Sequence, residues 1–178
     1  MRFLLFALLL WPTTLAANDW DALHEPGAHA IMRHALAPGT SDPANFDVDD
    51  CATQRNLDDR GRAQAKAIGD ALRARSFTFD RTLSSAWCRS FETAELMAVG
   101  SPETTPALNS FFQHRDRADG QTRDLQQIIQ SATGPLMMVT HQVNITALTG
   151  EWAGSGEIIV IRDTGAGIEV LGRILIDP

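Results

Sequence analysis

Two short apolar runs, each ending in a histidine, constrain this chain more than any other feature. Ala28, Ala30, Ile31 and Met32 lead straight into Arg33 and His34, and Leu136, Met137, Met138 and Val139 lead through Thr140 into His141. Continuous apolar runs of this length, followed by turn-forming residues, suit strands buried on both faces of a sheet. In an open α/β sheet ligands bind beyond the carboxyl ends of the strands, so a reactive side chain at the end of each run belongs at the mouth of a site. The expectation is one pocket that holds Arg33, His34 and His141.

The N-terminus reads differently. Arg2 precedes an apolar run over residues 3–11, followed by Pro12 and the small residues Thr13, Thr14, Ala16 and Ala17. That is the pattern of a secretory signal peptide, and the run is too short to span a bilayer. Residues 1–16 are therefore expected to be removed, with cleavage after Ala16 or Ala17. Residues 17–178 remain as a single domain, periplasmic or secreted, with no stable membrane insertion after cleavage. The chain carries a formal charge of −7, and loss of Arg2 makes it −8. An acidic surface argues against nucleic acid or an anionic membrane as partner.

Export gives meaning to Cys51 and Cys88, the only cysteines of the chain. In an oxidising compartment such a pair is expected to be bridged. Closing a loop of roughly 37 residues stabilises by about 4 kcal/mol on the chain-entropy model. Two cysteines alone do not build a zinc site, and His24 and His29, with Pro26 between them, cannot share a helix face. No metal and no cofactor is expected.

Between the two histidine strands the pattern is α/β throughout. Residues 36–54 form a long loop rich in Pro, Gly and Asp, of the kind that covers a site. Asp58 is a natural N-cap for a helix with Ala65, Ile68, Ala71 and Leu72 on its apolar stripe, ending near Arg75. Residues 81–84 read as a strand. Ser85 is expected to cap the next helix, whose inward face would hold Cys88, Phe91, Ala94 and Met97 or Ala98 and whose first turn carries a partly exposed Arg89. Pro102 and Pro106 bracket an edge strand, residues 108–119 are irregular, and residues 120–132 and 143–148 are helical. The tail, 156–161 and 168–176, reads as a β-hairpin around Asp163 to Gly167.

A histidine beside Arg33, a second arginine at a helix start and a second strand-end histidine make a basic cavity in an acidic protein, which suits phosphate. Arginine offers planar, permanently charged donors, and one Arg charge about 4 Å from one phosphate charge contributes on the order of 4 kcal/mol at an effective dielectric of about 20. A neutral His34 has a lone pair for attack on phosphorus, and His141 can donate to the phosphoryl oxygens.

Four ordered motifs carry a resemblance to a known family: Met32-Arg33-His34-Ala35; residues 56–65, from Asn56-Leu57 through Arg60-Gly61 to Ala65; residues 84–94, from Ser84-Ser85 through Cys88-Arg89 to Ala94; and Val139-Thr140-His141. Together they resemble the signature of the histidine phosphatase superfamily, also called phosphoglycerate-mutase-like, over nearly the whole mature chain. The resemblance implies a three-layer α/β sandwich with a mainly parallel central sheet flanked by helices. It implies a phosphatase in which His34 is the phosphorylated nucleophile and Arg33, Arg89 and His141 hold the phosphate of a small phosphorylated substrate. Arg55 matches an arginine that small phosphohistidine phosphatases of the superfamily carry, a further phosphate ligand. The chain departs from the pattern in three places. Ala35 and Gln142 stand where glycine is usual, and Ser110 stands where a glutamate general acid is expected, which leaves the acid unassigned among Asp42, Asp116 and Asp119. The alternatives are a phosphoramidate or phosphohistidine phosphatase and a phospho-ligand-binding module without turnover.

Overall fold

The computed structural model describes residues 18–178; the signal-peptide reading lies outside the described residues. Six strands, β1 (Ala28–Arg33), β2 (Arg81–Ser84), β3 (Pro102–Thr104), β4 (Leu136–Thr140), β5 (Ile158–Asp163) and β6 (Ile168–Ile174), form one sheet in the order β3-β2-β4-β1-β5-β6. The pairings β3-β2, β2-β4 and β4-β1 are parallel, whereas the C-terminal hairpin β5-β6 joins β1 antiparallel. The parallel strands are linked by α1 (Asp59–Ala74), α2 (Cys88–Met97) and α3 (Ala118–Gln130), and α4 (Gln142–Thr149) follows β4. Among the described residues no helix is long and apolar enough to cross a membrane.

Strand alternation builds the layers. Ala30, Met32, Met137 and Val139 face α1 and α2, where they pack with Ile68, Leu72, Ala94 and Met97. The intervening Ile31 and Met138 face α3 and α4 and pack with Leu125, Ile129, Ile145 and Leu148. Both faces of β1 and β4 are thus covered, which is why these strands read as largely apolar runs, with the buried His29 the one polar residue ahead of their final positions. The result is the three-layer α/β sandwich expected, with the antiparallel hairpin at one edge.

Asp58 caps α1 as expected, its carboxylate accepting the Gly61 N–H at 2.8 Å. A side chain at Gly61 would meet the Leu36 carbonyl, and one at Gly69 the Met97 carbonyl, each at 1.9 Å, so these two glycines let α1 lie against the chain leaving β1 and against α2. The α2 expectation needs correction. The helix begins at Cys88 with Trp87 at its N-cap and no side-chain cap, while Ser85 accepts the Trp87 N–H at 3.2 Å ahead of the helix. Its buried residues are Arg89, Ser90, Thr93, Ala94 and Met97, with Cys88 and Phe91 only half-buried. The inward stripe is rotated because the N-terminal half of α2 faces a polar cavity rather than the core.

Candidate active site

β1 and β4 are parallel neighbours with Arg33 opposite Thr140, so the next residue of each, His34 and His141, leaves the sheet at the same level. Their ring centroids are 5.5 Å apart and both side chains are buried. β2 flanks β4 on its other side and ends at Ser84, which brings Ser85 Oγ to 2.8 Å from His141 Nε2. The first turn of α2 then adds Ser90, whose Oγ is 3.4 Å from the same nitrogen, and Arg89, whose Nε–H donates to His34 Nε2 at 3.2 Å.

The tautomer of His34 follows from its neighbours. Nδ1 lies 2.7 Å from the Ala35 carbonyl, which can only accept, so Nδ1 carries the proton and Nε2 keeps its lone pair. Burial pushes the His34 pKa well below 6.5, and the charges of Arg89, Arg55 and Arg33 push the same way; only the Ala35 carbonyl opposes them. His141 is depressed likewise, by burial first and then by Arg89, His34 and the other two arginines. Both imidazoles are neutral at physiological pH.

Three arginines converge on this pair. Arg33 is half-buried, donates to the Ala153 carbonyl at 3.3 Å and lies 5.8 Å from the ring of exposed Trp152. Arg55 donates to the Ala37 carbonyl, its Nε–H makes no hydrogen bond to the protein, and burial together with the Arg89 charge lowers its pKa to about 10, so it stays a cation. Arg89, expected from the sequence to be partly exposed, is 4 % exposed and forms a buried ion pair with Asp42. Burial alone would raise the Asp42 pKa, but hydrogen bonds and charge from Arg89, with donors from the Arg55 backbone and the Trp87 indole, hold the carboxyl below its ordinary value.

The long loop after β1 makes this pairing possible. Cys51 is bridged to Cys88, the first residue of α2, as expected, with Cα atoms 5.7 Å apart. Gln54 is buried beside the bridge: its Oε1 accepts the Cys88 N–H at 2.9 Å, and its Nε2 donates to the carbonyls of Asp47 and Val48. The loop is thereby fastened to the start of α2, over the carboxyl ends of the strands, and Phe46 stacks on Trp87.

His34, His141, the three arginines, Asp42, Phe46 and Trp87 line a cavity of about 790 Å³. Pockets for small organic ligands run from about 300 to 1,000 Å³, so there is room for more than a bare phosphate. The outer wall comes from the irregular segment after β3, including Ser110, Phe112 and Arg115, the last with its guanidinium 5.1 Å from the Phe112 ring. The structure brings Arg33, His34, Arg55, Arg89 and His141 to this one cavity. Asp116 and Asp119 do not line it, and among the described residues Asp42 is the one carboxylate that does. No group of three His, Cys, Asp or Glu side chains able to hold a metal occurs among the described residues. Sequence reasoning missed Ser85, Ser90 and Gln54 as site-supporting residues and gave Asp42 no position. A serine just past β2 and another in the first turn of α2 have no local signature; only the register of β2 against β4 reveals them.

Fold and site together define an α/β protein with an arginine-lined pocket assembled around a neutral, buried histidine. The family model of the histidine phosphatase superfamily, branch 1, matches residues 29–109 of the chain. No curated protein sequence matches it. Among solved structures it is similar to the protein histidine phosphatase SixA complexed with tungstate, at 18% identity and a TM-score of 0.61, over 83% of this chain and 96% of that one. It is also similar to phosphoglycerate mutase from Thermus thermophilus (16% identity, TM-score 0.58, 84% and 99% covered) and to YhfR of Bacillus stearothermophilus (14%, 0.61, 82% and 95%). At these identities the likeness is one of fold.

Proposed function

We propose that this protein is an exported phosphatase that hydrolyses a small phosphorylated compound through a phosphohistidine at His34. The observation that carries the reading is the unprotonated Nε2 of His34, its tautomer set by the Ala35 carbonyl and its lone pair accepting the Arg89 Nε–H at 3.2 Å. A phosphoryl group that displaces this hydrogen bond would meet the Nε2 nucleophile on one side and the Arg89 guanidinium as a cationic donor on the other. Nε2 attacks phosphorus, a P–N bond forms and the bond to the leaving group breaks. Water then attacks the same phosphorus, the P–N bond breaks, and inorganic phosphate leaves with the neutral imidazole restored. Arg33, Arg55 and Arg89 stabilise the charge on the equatorial oxygens throughout, and His141, placed against Ser85, donates to one of them.

Proton supply to the leaving group distinguishes the substrate class. Asp42 is ionised and engaged with Arg89, so it is unsuited to act as an acid. This favours substrates whose leaving group departs without a carboxylic acid's help, a phosphoramidate such as phosphohistidine or an ester of an acidic alcohol. A binding module without turnover has no use for a histidine held in the nucleophilic tautomer. The acidic composition supports a small-molecule substrate over nucleic acid or membrane. The disulfide, with the N-terminal signal pattern, supports a periplasmic or secreted location. The test is release of inorganic phosphate by the mature protein from 4-nitrophenyl phosphate and from phosphohistidine. Activity lost in His34→Ala supports the reading, and activity retained there refutes it.

A further inference from the structure

We propose that Asp42 is a positioning residue for phosphoryl transfer: by occupying the end-on edge of Arg89, it reserves the side-on edge of that guanidinium for the phosphoryl group at His34. The proposal rests on the reading of His34 as nucleophile.

A guanidinium presents two forks of parallel N–H groups, one end-on from Nη1 and Nη2 and one side-on from Nε and Nη2. In Arg89 the end-on fork is filled. Nη1 donates to Asp42 Oδ1 at 2.6 Å and Nη2 to Oδ2 at 3.2 Å. The second hydrogen of Nη1 goes to the Arg55 carbonyl at 3.2 Å. What remains is the Nε–H, pointing at His34 Nε2, and the one Nη2 hydrogen on the same edge. The fork of Arg89 that no carboxylate or carbonyl fills is therefore the one that faces the nucleophile.

Asp42 is held too firmly to be a stand-in that substrate displaces. Oδ1 also accepts the Arg55 N–H at 3.0 Å, and Oδ2 accepts the Trp87 indole N–H at 3.1 Å. Both donors belong to segments that the Cys51–Cys88 bridge and Gln54 hold together. Asp42 also offsets one of three arginine charges. Without it an oxyanion would be drawn more strongly to the site, yet Arg89 would be free to meet that oxyanion with either edge. Binding and chemistry should therefore separate when Asp42 is changed.

The experiment uses the mature, oxidised protein and its Asp42→Asn and Asp42→Glu variants. Tungstate affinity is measured by calorimetry, the rate of His34 phosphorylation by single-turnover quench with 4-nitrophenyl phosphate, and folding by circular dichroism. In Asp42→Asn, tungstate should bind about threefold tighter or more, because the guanidinium charge is uncompensated. Phosphorylation should slow by about tenfold or more, since misplacing a catalytic group by about 1 Å costs up to about 10²-fold. Asp42→Glu keeps the charge but shifts the fork, so phosphorylation should slow while tungstate affinity stays within about twofold. That variant serves if Asp42→Asn does not fold. Faster phosphorylation together with tighter tungstate binding would mean that Asp42 is a competing occupant, and unchanged values in folded variants would mean a purely structural role; either overturns the proposal. If the wild type forms no phosphohistidine, the reading of His34 fails separately, and the Asp42 proposal is judged on the ¹⁵N-edited NMR signal of the Arg89 Nε–H, assigned by Arg89→Lys. At saturating tungstate that signal should shift in the wild type and shift less in Asp42→Asn; an identical shift in both refutes the positioning role.

Discussion

Arg89→Ala should cost this protein several kcal/mol of stability, far more than an arginine at an exposed helix start. Its side chain is 5 % accessible and that of Asp42 is 10 %. Deleting the guanidinium leaves the Asp42 carboxylate with only the Arg55 and Trp87 N–H groups, and strips a donor from the Arg55 carbonyl. Removing one member of a buried pair typically costs about 3–5 kcal/mol, because the other charge is left uncompensated. Relief by protonation of Asp42 limits the loss, so about 3 kcal/mol is the expected value near neutral pH. Asp42→Ala should cost a similar amount for the opposite reason, since it leaves Arg89, Arg55 and Arg33 without a counter-charge. The double variant Asp42→Ala/Arg89→Ala should cost less than the sum of the two, with a coupling of about 1–3 kcal/mol, because it leaves neither charge stranded. Urea denaturation of the oxidised protein at pH 7 measures all three. A loss below about 1 kcal/mol for Arg89→Ala, the range of surface ion pairs, would refute the buried-pair reasoning.

Acid should destabilise the fold from near neutrality. His34 and His141 are held neutral with pKa values pushed well below 6.5, whereas the unfolded chain takes up both protons near 6.5. The unfolded state therefore binds more protons, and stability is complete above pH 6.5 and falls below it by up to about 1.4 kcal/mol per pH unit for each histidine. A flat urea midpoint between pH 7 and pH 5 would contradict this. Reduction of the Cys51–Cys88 bridge should lower stability by about 4 kcal/mol on the chain-entropy model and lower turnover as well, since the bridge joins the Asp42 loop to the residue before Arg89. Full activity in the reduced, still-folded protein would break that link. With no carboxylic acid available, His34 phosphorylation should depend steeply on the leaving group, nitrophenyl phosphate and phosphoramidate reacting about 10² or more faster than alkyl phosphates. Asp116→Asn and Asp119→Asn should leave that dependence unchanged, and a steeper dependence in either variant would identify an acid.

The strands are legible in the sequence because their chemistry is local. β1 and β4 are covered on both faces, so burial writes nearly continuous apolar runs into the sequence, and the C-terminal hairpin is marked by its turn residues. Asp58 is readable as a helix cap for the same reason. The inward face of α2 is not, because the helix there faces a polar cavity; Arg89, Ser90 and Thr93 are buried by hydrogen bonding rather than by hydrophobicity. Asp42 is one acid among several in a long loop, and nothing local sets it apart from Asp47, Asp49 or Asp50. Its place depends on contacts to residues 13 and 47 positions away, made across a disulfide-fastened loop.

If His34 Nε2 is the nucleophile, the phosphorylated intermediate can be captured chemically. Purified protein mixed briefly with ³²P-labelled 4-nitrophenyl phosphate and quenched in base should carry base-stable, acid-labile label, assigned by peptide mass spectrometry to His34. The label should be absent from His34→Ala and reduced in Arg89→Ala. Label that persists in His34→Ala, or turnover with no labelled histidine at any quench time, would contradict the account.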